Sequence, residues 1–252
     1  MLEFRNVSIS IGQTQIIENI SVAFSKGRIS VIVGPNGCGK TTLLQCLNGI
    51  SRISTGTILL DDRDYLSFSQ KERATKLSFL PQVRTIIPSL PVRTLVEHGR
   101  FPHLGFSRKK NQKDTDLVRW AMEFTHTDIY SDQYVNTLSG GIRQKVFFAM
   151  VLAQDCEYIV LDEPTTYLDI SAQREFYAMI RSLKEQGHTV IMVLHDLTQA
   201  IRIADQLIIM DDRKIAAAGT PKECLQQHVI EKVFHVSWKC FSDEDGDYYF
   251  FE

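Results

Sequence analysis

The stretch Gly34-Pro35-Asn36-Gly37-Cys38-Gly39-Lys40-Thr41-Thr42 constrains this chain more than any other. It follows the apolar run Ile29-Ser30-Val31-Ile32-Val33 and leads into the helix-compatible run Thr42-Leu43-Leu44-Gln45-Cys46-Leu47. A strand, a glycine-rich loop and a helix start, in that order, make a cradle for phosphate. Glycines let the backbone curl so that successive N–H groups point at one anion. Lys40 adds a mobile point charge for the β- and γ-phosphates, and the Thr41 hydroxyl is placed to hold Mg²⁺. Nucleotide binding is therefore expected along this loop, from Gly34 and Asn36 to Thr42.

Composition narrows what surrounds the loop. A chain of 252 residues with 44% apolar and 23% charged content has the makings of a full core. Its net charge of −2 argues against a nucleic-acid partner. The dense basic run Arg108-Lys109-Lys110 with Lys113 reads as a solvated loop face. Five cysteines, with no CxxC pair, suit a reducing compartment and give neither a disulfide framework nor a zinc site. The start, Met1 to Asn6, does not read as a signal peptide. No apolar run approaches the ~20 residues that span a bilayer, so any service to a membrane is expected to go through a partner.

Along the chain, Leu2–Ile11, Ile16–Phe24 and Ile29–Val33 read as strands punctuated by Gly12 and Gly27. Further strands are expected at Gly56–Leu60 and at Leu77–Leu80, the latter stopped by Pro81. From about 86 to 155 apolar residues recur at helical spacing, as at Ile142, Val146, Ala149, Met150 and Ala153. This segment reads as a helical insertion into an α/β core. The core resumes with strand Tyr158–Leu161, a helix marked by Phe176, Met179, Ile180 and Leu183 with Ser171 near its start, and strand Thr189–Leu194. Gln206–Met210 and Lys214–Ala218 read as a hairpin. Lys239–Phe250 reads as another, with the acidic sequence Asp243-Glu244-Asp245-Gly246 at its centre, and is expected to be a packed tail.

Three further pieces narrow the chemistry. The strand at Tyr158 ends in Asp162-Glu163: Asp162 can meet Mg²⁺ through its water shell, and Glu163 can orient or deprotonate an attacking water. Leu138-Ser139-Gly140-Gly141 opens an amphipathic helix. Alone it is a plain N-cap with flexible glycines; beside a phosphate loop it is a second anion site, best used if two chains meet across one nucleotide. His195 stands where an apolar strand runs out. Alone it is an ordinary loop histidine; beside Lys40 and Glu163 it would reach the γ-phosphate.

These residues resemble the ATP-binding subunits of ABC transporters over essentially the whole chain. Gly34–Thr42 matches Walker A, Gln82 the Q-loop, Leu138–Gly141 the signature, Tyr158–Glu163 Walker B, Leu168-Asp169 the D-loop and His195 the switch histidine. The fold implied is α/β, a P-loop NTPase core (residues 1–85 and 156–252) with an N-terminal antiparallel β part and an α-helical signature subdomain at 86–155. Softer wording, in Asp162–Ile170, Leu194–Ala200 and His98–His103, is similar to importers of iron(III)-siderophores and is shared with haem and vitamin B12 importers. The resemblance implies ATP and Mg²⁺ as cofactors, with Thr41, Gln82 and Asp162 toward the metal. Lys40, Gln82, Glu163 and His195 would be catalytic, and Ser139, Gly140 and Gly141 would close on the nucleotide of a second copy packed head to tail. It further implies transmembrane permease subunits as partners, an indirect link to a substrate-binding protein, and a place on the cytoplasmic face of the membrane. Pro91–Ser107 would line the groove for the permease.

Two positions depart from that family. Ile11 stands where an aromatic usually stacks on adenine, which forfeits about 1 kcal/mol. Ile142 stands where glutamine is usual, in register with Val146 and Ala149. Cys38, near a helix N-terminus that lowers thiol pKa, is expected to be reactive. An iron–sulfur assembly ATPase is the nearest soluble alternative. A scaffold that binds nucleotide without hydrolysis conflicts with Lys40, Asp162, Glu163 and His195 all being present.

Overall fold

The computed structural model describes residues 1–82, 87–105, 110–243 and 246–252, without the side chains of 242, 243, 246 and 247. Packing divides the chain into two compact units, Met1–Ser67 with Thr189–Glu252, and Phe68–His188.

In the first unit, β1 (Leu2–Ile11) and β2 (Thr14–Phe24) pair antiparallel about Gly12, whose φ of 62° suits the tight turn. Alternation buries Leu2, Phe4, Val7 and Ile9 against Ile17, Ile20 and Phe24. Register shifts fall at Asn6 and Asn19, two left-handed residues that tolerate the bend. β3 (Ile29–Val33) is buried throughout and feeds the glycine loop and α1 (Lys40–Asn48), which stops at left-handed Gly49. β4 (Thr55–Leu60) and β5 (Arg63–Asp64), joined by left-handed Asp61-Asp62, complete the antiparallel sheet β2-β1-β4-β5.

The second unit opens with α2 (Gln70–Lys76), held by a reciprocal Ser69–Glu72 capping box, and β6 (Leu77–Leu80). α3 (Val92–Glu97), α4 (Gln112–Phe124) and α5 (Gly140–Ala153) form the helical cluster read from the sequence. Val92, Leu95 and Val96, Val118 and Met122, and Val146, Phe148 and Ala149 make its apolar interior. The turn after α3 is locked by Arg100, which is buried, pairs with Asp114 at 2.9 Å and donates to the Ala153 carbonyl at the end of α5. β7 (Tyr158–Asp162) runs parallel to β6, with Leu80 opposite Leu161. α6 (Ile170–Glu185) packs Phe176 on Phe148, rings 4.8 Å apart. Its cap is Asp169, which accepts from the Ala172 N–H, and Ser171 lies inside the first turn. The compact unit exceeds the expected 86–155 segment because β6, β7 and α6 pack with its helices.

The first unit resumes with β8 (Thr189–Val193), α7 (Leu197–Ile203), β9 (Gln206–Asp211) and β10 (Lys214–Gly219). β3 lies between β8 and β9, parallel to both, and β10 returns antiparallel on β9. β8 is apolar after Thr189, as a strand covered on both faces must be. α8 (Pro221–Gln226), α9 (Val229–Phe234) and the hairpin β11 (Trp238–Asp243) with β12 (Gly246–Phe251) end the chain. Glu244 and Asp245, from the acidic sequence between these strands, lie outside the described residues. The architecture is the α/β core with an antiparallel N-terminal sheet and helical segment that the sequence predicts.

Candidate functional site

In the first unit the phosphate loop is a product of glycine placement. Gly37 and Gly39 have φ of 81° and 104°, which side chains rarely adopt. Gly34 has no room for a side chain: a Cβ there would lie 2.3 Å from the Met210 carbonyl oxygen. The Lys40 ammonium folds back across the loop to the carbonyls of Gly34 (2.8 Å) and Pro35 (2.9 Å). α1 starts without a side-chain cap, whereas Ser139, Asp169 and Asp196 cap α5, α6 and α7. An uncapped helix start behind a glycine loop, with a lysine at hand, fits an anion of phosphate size. Asn36 and Gly37 are exposed at the loop's rim, and Thr41 and Thr42 are half-buried in the first helical turn.

Cys38 corrects the expectation drawn from its position. The side chain is only 5% exposed, and burial pushes its thiol above the ordinary value, outweighing the Lys40 ammonium 4.0 Å away. It is a packed thiol of the loop rather than a poised nucleophile. Ile11, at the end of β1, is 61% exposed. His195 is exposed just past β8, next to Asp196, which caps α7 through the Gln199 N–H.

The second unit brings the other predicted residues together. Because β6 and β7 run in parallel register, Gln82 and Glu163 emerge side by side beyond their ends, and the Gln82 amide donates to the Glu163 carboxylate at 2.5 Å. Asp162 is buried at the end of β7. Glu163 follows with a φ of 49°, a left-handed backbone costing roughly 1–2 kcal/mol for a residue with a Cβ. Ser139 caps α5 through the Ile142 N–H at 3.4 Å, and Ile142 is half-buried on that helix. Gly140 and Gly141 sit against Tyr167 and Leu168, so the signature start packs on the loop that follows Glu163. A cavity of about 250 Å³ is lined by Gln82, Ile87, Gly140, Arg143, Gln144 and Tyr167, among others.

One member of this arrangement escaped the sequence reading. Gln144 is buried and donates to the Pro164 carbonyl at 2.8 Å, bolting α5 to the Glu163 loop. Its signal was a polar residue among apolar neighbours on the inward side of α5. Tyr167, in a left-handed backbone (φ 76°) and largely exposed, was also passed over.

Comparison with known proteins agrees with this geometry. The ABC transporter family profile matches residues 17–166. The petrobactin import ATP-binding protein FpuD of Bacillus anthracis is 37% identical over 243 residues, covering 96% of this chain and 89% of its own. The iron(3+)-hydroxamate import ATP-binding protein FhuC of Bacillus subtilis (strain 168) is 36% identical over 243 residues, covering 96% and 90%. A nucleotide-free ATP-binding cassette from an ABC transporter superposes with a TM-score of 0.83 at 21% identity, covering 93% of this chain and 97% of that one, which shows the fold. The chain belongs to the ABC transporter family, as an ATP-binding subunit that couples ATP hydrolysis to transport.

Proposed function

We propose that this subunit powers import of an iron(III)-siderophore-type substrate through a membrane permease, from the cytoplasmic face. The observation that carries the substrate class is the near full-length likeness to FpuD and FhuC, whose names specify petrobactin and iron(3+)-hydroxamate import. Among the described residues no helix is long and apolar enough to cross a membrane, which accords with transport through separate permease subunits. A substrate-binding protein would deliver cargo to that permease.

The roles follow from the chemistry of each side chain. The loop amides, Lys40 and Thr41 would hold the ATP phosphates, with Ser139 and Gly141 of a second copy closing on the γ-phosphate. Mg²⁺ is assigned to Thr41, Gln82 and Asp162, whose oxygens are the hard ligands that ion takes, and it would neutralise phosphate charge. Glu163 would take a proton from the attacking water, and His195 would donate to the γ-phosphate. The Gln82–Glu163 hydrogen bond supports a shared task, since an amide that holds the carboxylate also orients it. Loss of the γ-phosphate removes the charge that draws two copies together.

Uptake assays in a strain deleted for this chain test the substrate class. Ferric siderophore uptake is expected to vanish and return with the wild-type chain, with labelled haem and cobalamin uptake unchanged. Loss of haem or cobalamin uptake alone would reassign the cargo. Loss of none would return the chain to a soluble role.

A further inference from the structure

Helix α5 and the loop after Glu163 meet along one helical face. Gln144 follows Gly140 and Gly141 by one turn, so all three look to the same side. A Cβ built on Gly140 would lie 3.6 Å from the Tyr167 Cβ, and one on Gly141 would lie 3.6 Å from the Leu168 Cδ2. Gln144 completes the contact by donating to the Pro164 carbonyl at 2.8 Å. Packing does not ask for an amide there. Val146, Phe148, Ala149 and Leu152 already fix α5 in the interior, and methionine would fill the space of the glutamine side chain. A buried amide is offset only by its hydrogen bonds, so the Pro164 carbonyl is where its role is to be sought.

That carbonyl belongs to the residue next to Glu163. The proline ring holds φ at 164, and the hydrogen bond to its carbonyl holds ψ, so both dihedrals of the residue are set. The Glu163 carbonyl accepts from the Thr166 N–H (3.3 Å) and hydroxyl (3.0 Å), and its carboxylate accepts from the Gln82 amide. Glu163 itself is left-handed, with a φ of 49°. Such a backbone persists only where its surroundings over-determine it.

We infer that Gln144 is a positioning residue for hydrolysis: by pinning the Pro164 carbonyl to α5, it keeps the Glu163 backbone left-handed and its carboxylate aimed at the attacking water. The inference rests on the reading of Glu163 as the group that takes a proton from that water. The brace comes from the helix whose start, Ser139 to Gly141, would close on the ATP of a second copy. Glu163 is thus set from the same piece of structure that would grip the neighbouring nucleotide. Because Gln144 acts through Glu163, it bears on kcat rather than on nucleotide affinity.

Steady-state phosphate release by the full chain, expressed per folded molecule, tests this. Gln144→Met keeps the bulk of the side chain and removes the donor. It is expected to lower kcat at least about tenfold while KM stays within about twofold of wild type. Urea unfolding supplies the folded fraction, so lost stability does not pass for lost turnover. Two changes that act through one group do not add. Gln144→Met placed in Glu163→Gln is therefore expected to slow the residual turnover by less than about twofold, and to leave ATP-driven pairing as Glu163→Gln has it. Gln144→Asn, whose amide falls one methylene short of the carbonyl, is expected to match Gln144→Met and decides the question if the methionine variant does not fold. A kcat within about twofold of wild type, a raised KM at unchanged kcat, or a further loss of about tenfold in the Glu163→Gln background would overturn the inference. Lost pairing in that background would overturn it too, by making Gln144 a support of the signature start. Wild-type turnover by Glu163→Gln itself would instead remove the reading of Glu163, and this inference with it.

Discussion

Lys40 shows how much of a site one residue can report about itself. Its ammonium satisfies two loop carbonyls, which under the proposed role it would exchange for phosphate oxygens. The loop beneath it was legible from spacing, because a glycine loop is a local device whose backbone demands are written in residue type. Cys38 was not legible in the same way. Helix-terminus logic lowers a thiol pKa, but desolvation raises it, and burial is decided by tertiary packing. Cys46 and Cys156 are pushed up to about 12 and Cys224 to about 11 by the same cause. Iodoacetamide at neutral pH should therefore modify exposed Cys240 first, with Cys38 slow until the pH is raised; mass spectrometry showing Cys38 labelled as fast as Cys240 would contradict this. Exposed Ile11 carries a second expectation, that Ile11→Tyr lowers the ATP dissociation constant about fivefold, or ~1 kcal/mol, through stacking. An unchanged constant by titration calorimetry would place the base elsewhere.

At the scale of elements, strands were the most legible because alternation and continuous apolar runs mark them directly, as in β1 and β3. Helix ends were written too: Ser69 with Glu72, Asn111 with Asp114, and Thr220-Pro221 with Glu223 are reciprocal capping boxes of local signature. The last of these opens α8, a helix the sequence reading did not place. Long-range bolts were not readable, since Arg100 meets Asp114 and Ala153 only after α4 and α5 have packed. Arg100→Met should cost about 3–5 kcal/mol in urea unfolding, because it strands the buried Asp114 carboxylate. Burial alone would raise that carboxyl, but the Asn111 backbone N–H and Arg100 outweigh it and hold it below the usual range. A folded value below the unfolded one, about 3.9, makes this contribution complete above that pH and lost as pH falls through the folded value. Wild type and Arg100→Met should therefore converge in stability toward pH 2; a gap independent of pH would contradict the assignment.

At the scale of the whole molecule, the fold followed from the sequence once strand, loop and helix were set in order, and the compact units did not. Their limits depend on which elements share an interior, and β6, β7 and α6 join the helices for reasons of packing rather than chain order. The central claim is that each ATP is used by two copies, with Glu163 taking a proton from the water that attacks the γ-phosphate. Its most direct test is Glu163→Gln, followed at once by phosphate release and by light scattering with and without Mg²⁺-ATP. The account predicts an ATP-dependent dimer whose turnover falls at least about a hundredfold below wild type, the scale of a lost general base. Wild-type turnover, or a variant that stays monomeric at saturating ATP, would contradict it.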